Sequence, residues 1–158
     1  MSLRDCAEQA RHDEAVARLR RLLSVRAMAA TGSTQQAIAT ILGVSQPAVS
    51  QLLRSSDRVS DIGPTEVLEA AAPVLKEVAA ERGFTDLAVF GSVARRQSWK
   101  DSDIDLIVRA PGGAQISDLV ALASTFSAIV GRPVDVVTYG GLKDGIDDDI
   151  RRGMVPLR

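Results

Sequence analysis

Apolar residues recur with two different periods along the chain, and the change of period divides it. From Glu14 to Ala30, Val16, Leu19, Leu22, Leu23 and Met28 fall at near-helical spacing, with Arg18, Arg20, Arg21 and Arg26 between them, so this stretch reads as an amphipathic helix. Thr31-Gly32 stops it. Ser33 or Thr34 can cap a second helix through Ile38, Ile41 and Leu42, with Gly43 as the turn. Ser45 caps a third, which tolerates Pro47 in its first turn and turns Val49, Leu52 and Leu53 inward.

After residue 58 the pattern shifts. Ser55 to Pro64 is polar and punctuated by Gly63 and Pro64, the composition of a linker. A helix from Glu66 to Arg82 follows, with Pro73 expected to kink or break it. Leu87 to Phe90 is a short buried-strand run. Ile104, Leu106 and Val108 alternate with Asp103, Asp105 and Ile107, which is the period of a strand. Ile116 to Val130 returns to helix, Arg132 to Thr138 is β-rich, and Met154 to Leu157 reads as an edge strand where Pro156 is admissible. Three consecutive acids, Asp147 to Asp149, point in different directions on a helix and fit a solvated helix start better than an ion site. The fold class expected is α+β: an all-α module over 1–58, then a small mixed-sheet domain over 65–158.

Composition narrows the classes. The chain has 158 residues, 46% of them hydrophobic, enough for one ordinary core and a small helical module. No apolar stretch reaches membrane length and no signal-peptide core precedes the first helix, so the expected location is cytoplasmic. Cys6 is the sole cysteine, which excludes an internal disulfide and a thiolate metal site. His12 is the sole histidine and lies in a charged segment, which excludes a His-dependent triad in the second domain. Residues 1–58 hold eight Lys/Arg against five Asp/Glu and residues 59–158 hold eleven against fifteen, so the two parts carry opposite net charge.

The stretch GSVARRQSWKDSDIDLIV concentrates the chemistry. Gly91 permits a tight turn and close backbone approach, and Ser92 can cap a short helix whose free amides face a phosphate. Asp103 and Asp105 share a strand face, where two acids repel unless a divalent cation neutralises them; Mg²⁺ takes one or two carboxylates together with substrate phosphates. Asp135 is the only charge inside the next β-rich run. Should that strand lie beside the first, three carboxylates suit a pair of metal ions about 4 Å apart. Arg95 and Arg96 can neutralise phosphate or be solvated, Asp101-Ser102-Asp103 can be a polar turn, and Asp135 can cap backbone.

These residues resemble the DNA polymerase β-type nucleotidyltransferase superfamily, in particular its minimal nucleotidyltransferase branch, over roughly Thr65 to Arg158. The Gly-Ser pair, Ala-Arg, Ser-Asp-x-Asp-Leu and the later strand Asp carry the likeness; Arg96 departs from it, standing where many relatives have a small residue. The resemblance implies that Gly91, Ser92 and Arg95 hold the phosphates of ATP or another nucleoside triphosphate. It implies that Asp103, Asp105 and Asp135 bind Mg²⁺, with two ions expected and Asp135 as the third catalytic acid, and that pyrophosphate leaves. Minimal nucleotidyltransferases of this size often resemble antitoxins paired with a HEPN-type ribonuclease toxin, which they adenylylate on tyrosine.

In the first part, TQQAIATILGVSQPAVSQLLR resembles the helix-turn-helix of phage repressors and Cro-like regulators. Such a pair lays its second helix in the major groove of double-stranded DNA. Gln46, Ser50 and Gln51 are then placed for base edges, and Thr34, Gln35 and Arg54 for phosphates. The combined expectation is a Mg-dependent protein adenylyltransferase that represses its own operator, possible as a homodimer on paired half-sites. Two alternatives stay open: a regulator that binds nucleotide or partner without turnover, and a nucleotidyltransferase that modifies RNA and acts as a toxin.

Overall fold

A computed structural model of the chain describes every residue except Lys100 and Asp101, and leaves undescribed the side chains of Ser56 and Asp57. The polar turn expected to begin at Asp101 therefore lies partly outside the described residues. The elements run α1 (Leu3–Ala30), α2 (Gln35–Leu42), α3 (Gln46–Ser55), α4 (Pro64–Glu81), β1 (Thr85–Phe90), α5 (Gly91–Ala94), β2 (Ile104–Arg109), α6 (Ile116–Val130), β3 (Val134–Thr138), α7 (Asp148–Gly153) and β4 (Val155–Pro156). The mixed α+β class expected from sequence is what the chain adopts.

The helix expected from Glu14 begins eleven residues earlier. Residues 3–13 are exposed and carry no apolar period, so the pattern could not show them. Local polar bonds specify that half instead: Ser2 and Asp5 form a reciprocal capping box, and Arg4–Glu8, Gln9–Asp13 and Glu14–Arg18 pair one turn apart. The second half of α1 is a buttress with two faces. Leu23 and Ala27 enter the main core, whereas Val25 joins Ile38, Ala39 and Val49 in a small separate core with α2 and α3.

Pro73 does not break α4, which runs unbroken from Pro64 to Glu81. A proline inside a helix leaves the carbonyl four residues back without its donor. Arg20 of α1 supplies the substitute, donating to Glu69 O at 3.3 Å and to Ala70 O at 3.0 Å. Arg26 does the same for α6, donating to the carbonyls of Ala128 and Ile129 at 2.7 Å each. Two of the basic residues that make the first part cationic are thus spent on internal backbone.

Ser55 to Pro64 is not a free linker. It folds into a 3-10 turn over Ser56–Asp61, Val59 is fully buried in the main core, and Arg132 donates to the carbonyls of Val59 and Ile62. Val59 and the partly buried Ile62, which packs against the same core, dock it.

The four strands order as β3-β2-β1-β4, with β1 antiparallel to both neighbours and β2 parallel to β3. Leu87, Val89, Ile104, Leu106, Val108 and Val134 line the face covered by α4 and α6, where they meet Leu75, Leu122 and Phe126. Alternation sends Phe90, Asp105 and Asp135 to the opposite face.

Candidate active site and nucleic-acid interface

β1 runs straight into α5 with no loop between them. Phe90 occupies the N-cap and contributes no side-chain bond; Ser92 lies inside the helix rather than capping it. The reversal is made by Gly91 at φ +73°, where only glycine is unstrained. The close approach expected at Gly91 is to Asp105: a Cβ there would collide with Asp105 Oδ2 and lie 3.3 Å from its Cγ. Gly91 and the acid are therefore one unit, and the missing side chain is room for a carboxylate. Arg96 closes the α5 turn at φ +54°, a left-handed conformation. That is a physical reason for glycine to be natural at this position.

The parallel pairing of β2 and β3 sets Asp105 directly beside Asp135, and the antiparallel pairing of β1 sets Phe90 beside Asp105. Side chains in register share a face, so the two carboxylates are neighbours. Asp103 precedes the first paired residue of β2 and is exposed, as is Asp135; Asp105 is half-buried. Burial pushes the Asp105 carboxyl above its ordinary range, and the nearby charges of Asp135 and Asp103 push it further, against the pull of Arg95. Among the described residues none of these three carboxylates accepts a hydrogen bond.

The structure does not draw the three acids into a closed cage. Among the described residues no group of three or more His, Cys, Asp or Glu side chains is gathered tightly enough to hold an ion. The donor set nevertheless fits magnesium, which keeps waters and substrate oxygens and seldom uses an all-protein shell. Two hard oxygen ligands in register, mutually repelled and with open lone pairs, are what a divalent cation relieves.

Beside Gly91 opens a cavity of about 540 Å³, lined by Phe90, Gly91, Arg95, Asp149, Ile150, Arg152 and Gly153. Arg95 faces it from the end of α5. The α7 residues were absent from the sequence expectation because Asp147 to Asp149 read as a solvated helix start. The helix start is there, with Asp147 at the N-cap of α7, but Asp149 alone of the three is exposed; Asp147 and Asp148 are half-buried and accept from the amides of Lys143 and Gly145. The missed signal was the Arg151-Arg152 doublet on the following turn.

In the N-terminal region α2 starts at Thr34, whose hydroxyl accepts from Ala37 N at 3.1 Å, and Gly43 turns the chain in the left-handed conformation. Ser45 Oγ accepts from Ala48 N at the start of α3. Gln46 and Gln51 are exposed as expected, but Ser50 is half-buried, and Gln35 is half-buried too. Gln46 donates to Gln35 at 2.5 Å and Arg54 donates to Gln51 at 3.2 Å. The six residues lie on two adjoining helices, four of them already bonded to one another.

Residues 75–155 match the family described as Polymerase beta, Nucleotidyltransferase. The chain is 32% identical over 85 residues to a provisionally named protein adenylyltransferase of Methanocaldococcus jannaschii, covering 54% of this chain and 87% of that protein. It is 31% identical over 80 residues to protein adenylyltransferase MntA of Thermococcus cleftensis, covering 51% and 81%. A solved structure provisionally described as a minimal nucleotidyltransferase superposes with a TM-score of 0.54 at 32% identity, covering 59% of this chain and 95% of the other. A toxin-antitoxin crystal structure with AMP-PNP superposes at 0.50 with 17% identity, covering 55% and 72%, a likeness of fold alone. With its Gly-Ser turn against an acid pair in register, the chain belongs to the polymerase β nucleotidyltransferase family and is a nucleotidyltransferase.

Proposed function

We propose that the chain is a Mg-dependent protein adenylyltransferase that acts as the antitoxin of a toxin-antitoxin pair and represses its own operon. The observation that carries the transfer reading is the register of Asp105 with Asp135 behind Gly91. Asp103 and Asp105 would hold magnesium, with Asp135 helping to bind a second ion. Bound metal supplies charge neutralisation at the phosphates. Gly91, Ser92 and Arg95 orient the triphosphate, and Asp135 accepts the proton of an acceptor hydroxyl. That oxygen bonds to the α-phosphorus as the bond to the bridging oxygen breaks and pyrophosphate leaves. Most of the acceleration is then positioning and electrostatics.

The identities to protein adenylyltransferases favour a protein acceptor, and a HEPN-type toxin is the proposed partner. Residues 1–58 form the proposed DNA-binding unit and 65–158 the transferase. Thr34, Gln35, Gln46, Ser50, Gln51 and Arg54 are its proposed DNA contacts, and a homodimer on paired half-sites is the proposed binding form. The test is incubation of the purified chain with Mg²⁺, α-labelled ATP and the product of the adjacent reading frame. Label on that protein, lost with Asp103→Ala while operator binding persists, is the expected result. Label on RNA instead would make the chain an RNA-modifying enzyme, and operator binding with no label would leave a regulator.

A further inference from the structure

Resting on that transfer reading, we propose that Arg152 of α7, together with Arg95, clamps the β- and γ-phosphates of the nucleoside triphosphate. The two arginines come from the two elements that wall the cavity beside Gly91, α5 and α7. Gly91 lines this cavity and also abuts Asp105, so the cavity and the acid pair share one wall residue. Its volume of about 540 Å³ is in the range of small-molecule sites, and Phe90 and Ile150 give it an apolar wall between the cations.

The neighbouring arginines of α7 differ in what holds them. Arg151 binds Asp144 at 2.7 Å and Asp148 at 3.3 Å, and reaches the carbonyl of Leu142, so it ties the preceding loop to the helix. Arg152 pairs with Asp149 one turn back, and both are largely exposed, at 73% and 93%. Such an i,i+3 surface pair is weak and exchanges readily for a better anion. Asp149 also lines the cavity. Its carboxylate therefore competes with a phosphate oxygen for the Arg152 guanidinium. Among the described residues the hydrogen-bond acceptor of Arg95 is a neutral one, Gln97 Oε1 at 3.3 Å. Two forked guanidiniums suit the terminal phosphates of a triphosphate and the charge that builds on departing pyrophosphate. A monophosphate lacks the terminal phosphates that Arg152 would hold.

The experiment is calorimetric titration of MgATP, magnesium with inorganic triphosphate, and AMP into the wild-type chain, Arg152→Gln and Asp149→Asn. Arg152→Gln should weaken ATP and inorganic triphosphate about tenfold while leaving AMP unchanged. Asp149→Asn, which frees the guanidinium, should tighten both polyphosphates. Unchanged ATP affinity in Arg152→Gln, with a wild type that binds ATP, would overturn the clamp and spare the transfer reading. An equal loss for AMP and ATP would also overturn it, since that marks a structural role. A wild type that binds neither ATP nor triphosphate would overturn both. Because Arg152 is exposed, matching melting temperatures are expected to show that the variant remains folded.

Discussion

On the acid-bearing face of the sheet, Asp105 and Asp135 stand side by side with no hydrogen-bond donor among the described residues, whereas on α2 and α3 Gln46 is bonded to Gln35 and Arg54 to Gln51. Polar groups that pair with each other on a surface cost little and carry little information. Carboxylates crowded together in a half-buried strand cost folding energy, and a chain keeps them only for something that arrives later. The contrast teaches why the sheet region speaks more clearly of its chemistry than the helical region does of DNA. It also bears on the basic charge of the first part, since Arg20 and Arg26 bind backbone of α4 and α6.

The largest effect should come from the acids. Asp105→Asn and Asp135→Asn should each lower transfer by about 10²–10⁴-fold, measured as labelled product per unit time. Burial and its acidic neighbours raise the native pKa of Asp105, so ionising it opposes folding. Stability associated with this group is complete below the unfolded carboxylate range and is lost as pH rises through its native value. Asp105→Asn should therefore melt higher than wild type at neutral pH, with the gain vanishing in strong acid. A melting temperature equal to wild type at every pH would contradict the strain.

Gly91→Ala should destabilise the fold by about 1–3 kcal/mol, because it puts a side chain at positive φ and drives a Cβ into Asp105. Denaturant unfolding measures it, and a fall in metal-dependent nucleotide binding should accompany it.

On the other side of the comparison, Gln51→Ala should cost about 1–3 kcal/mol at one operator position, and Arg54→Ala should lower the salt slope of DNA binding by about one. Titration against mutated operators at several salt concentrations separates base reading from phosphate contact. If neither variant changes binding, the helical region serves packing instead.

The smallest effect expected is local to the buttress. Arg20→Ala should lower stability by about 0.5–1.5 kcal/mol by stripping the donor from carbonyls beside Pro73. Restoring the N–H with Pro73→Ala should recover part of that loss in the double variant.

Much of the sheet and its site was legible in the sequence. Period-two alternation located β2, β-rich composition located β3, Gly91 announced a close approach, and Asp135 stood out as the lone charge in its run. Where the sequence misled, the cause was long-range. The role of Arg20 in keeping α4 continuous at Pro73 depends on a helix 50 residues away. Val59, flanked by polar residues, could not announce that it would be fully buried. The first eleven residues of α1 bury nothing, so hydrophobic periodicity was silent about them. Ser92 lies inside α5 and cannot cap it, because Gly91 itself turns the chain from strand into helix.

The most direct test of the central claim is equilibrium binding of ATP to the wild-type chain and to Asp105→Asn, with and without Mg²⁺. The acid pair predicts that magnesium strengthens ATP binding to the wild type and that Asp105→Asn abolishes this dependence. Equal ATP affinity with and without magnesium in the wild type, or an undiminished magnesium effect in Asp105→Asn, would contradict it.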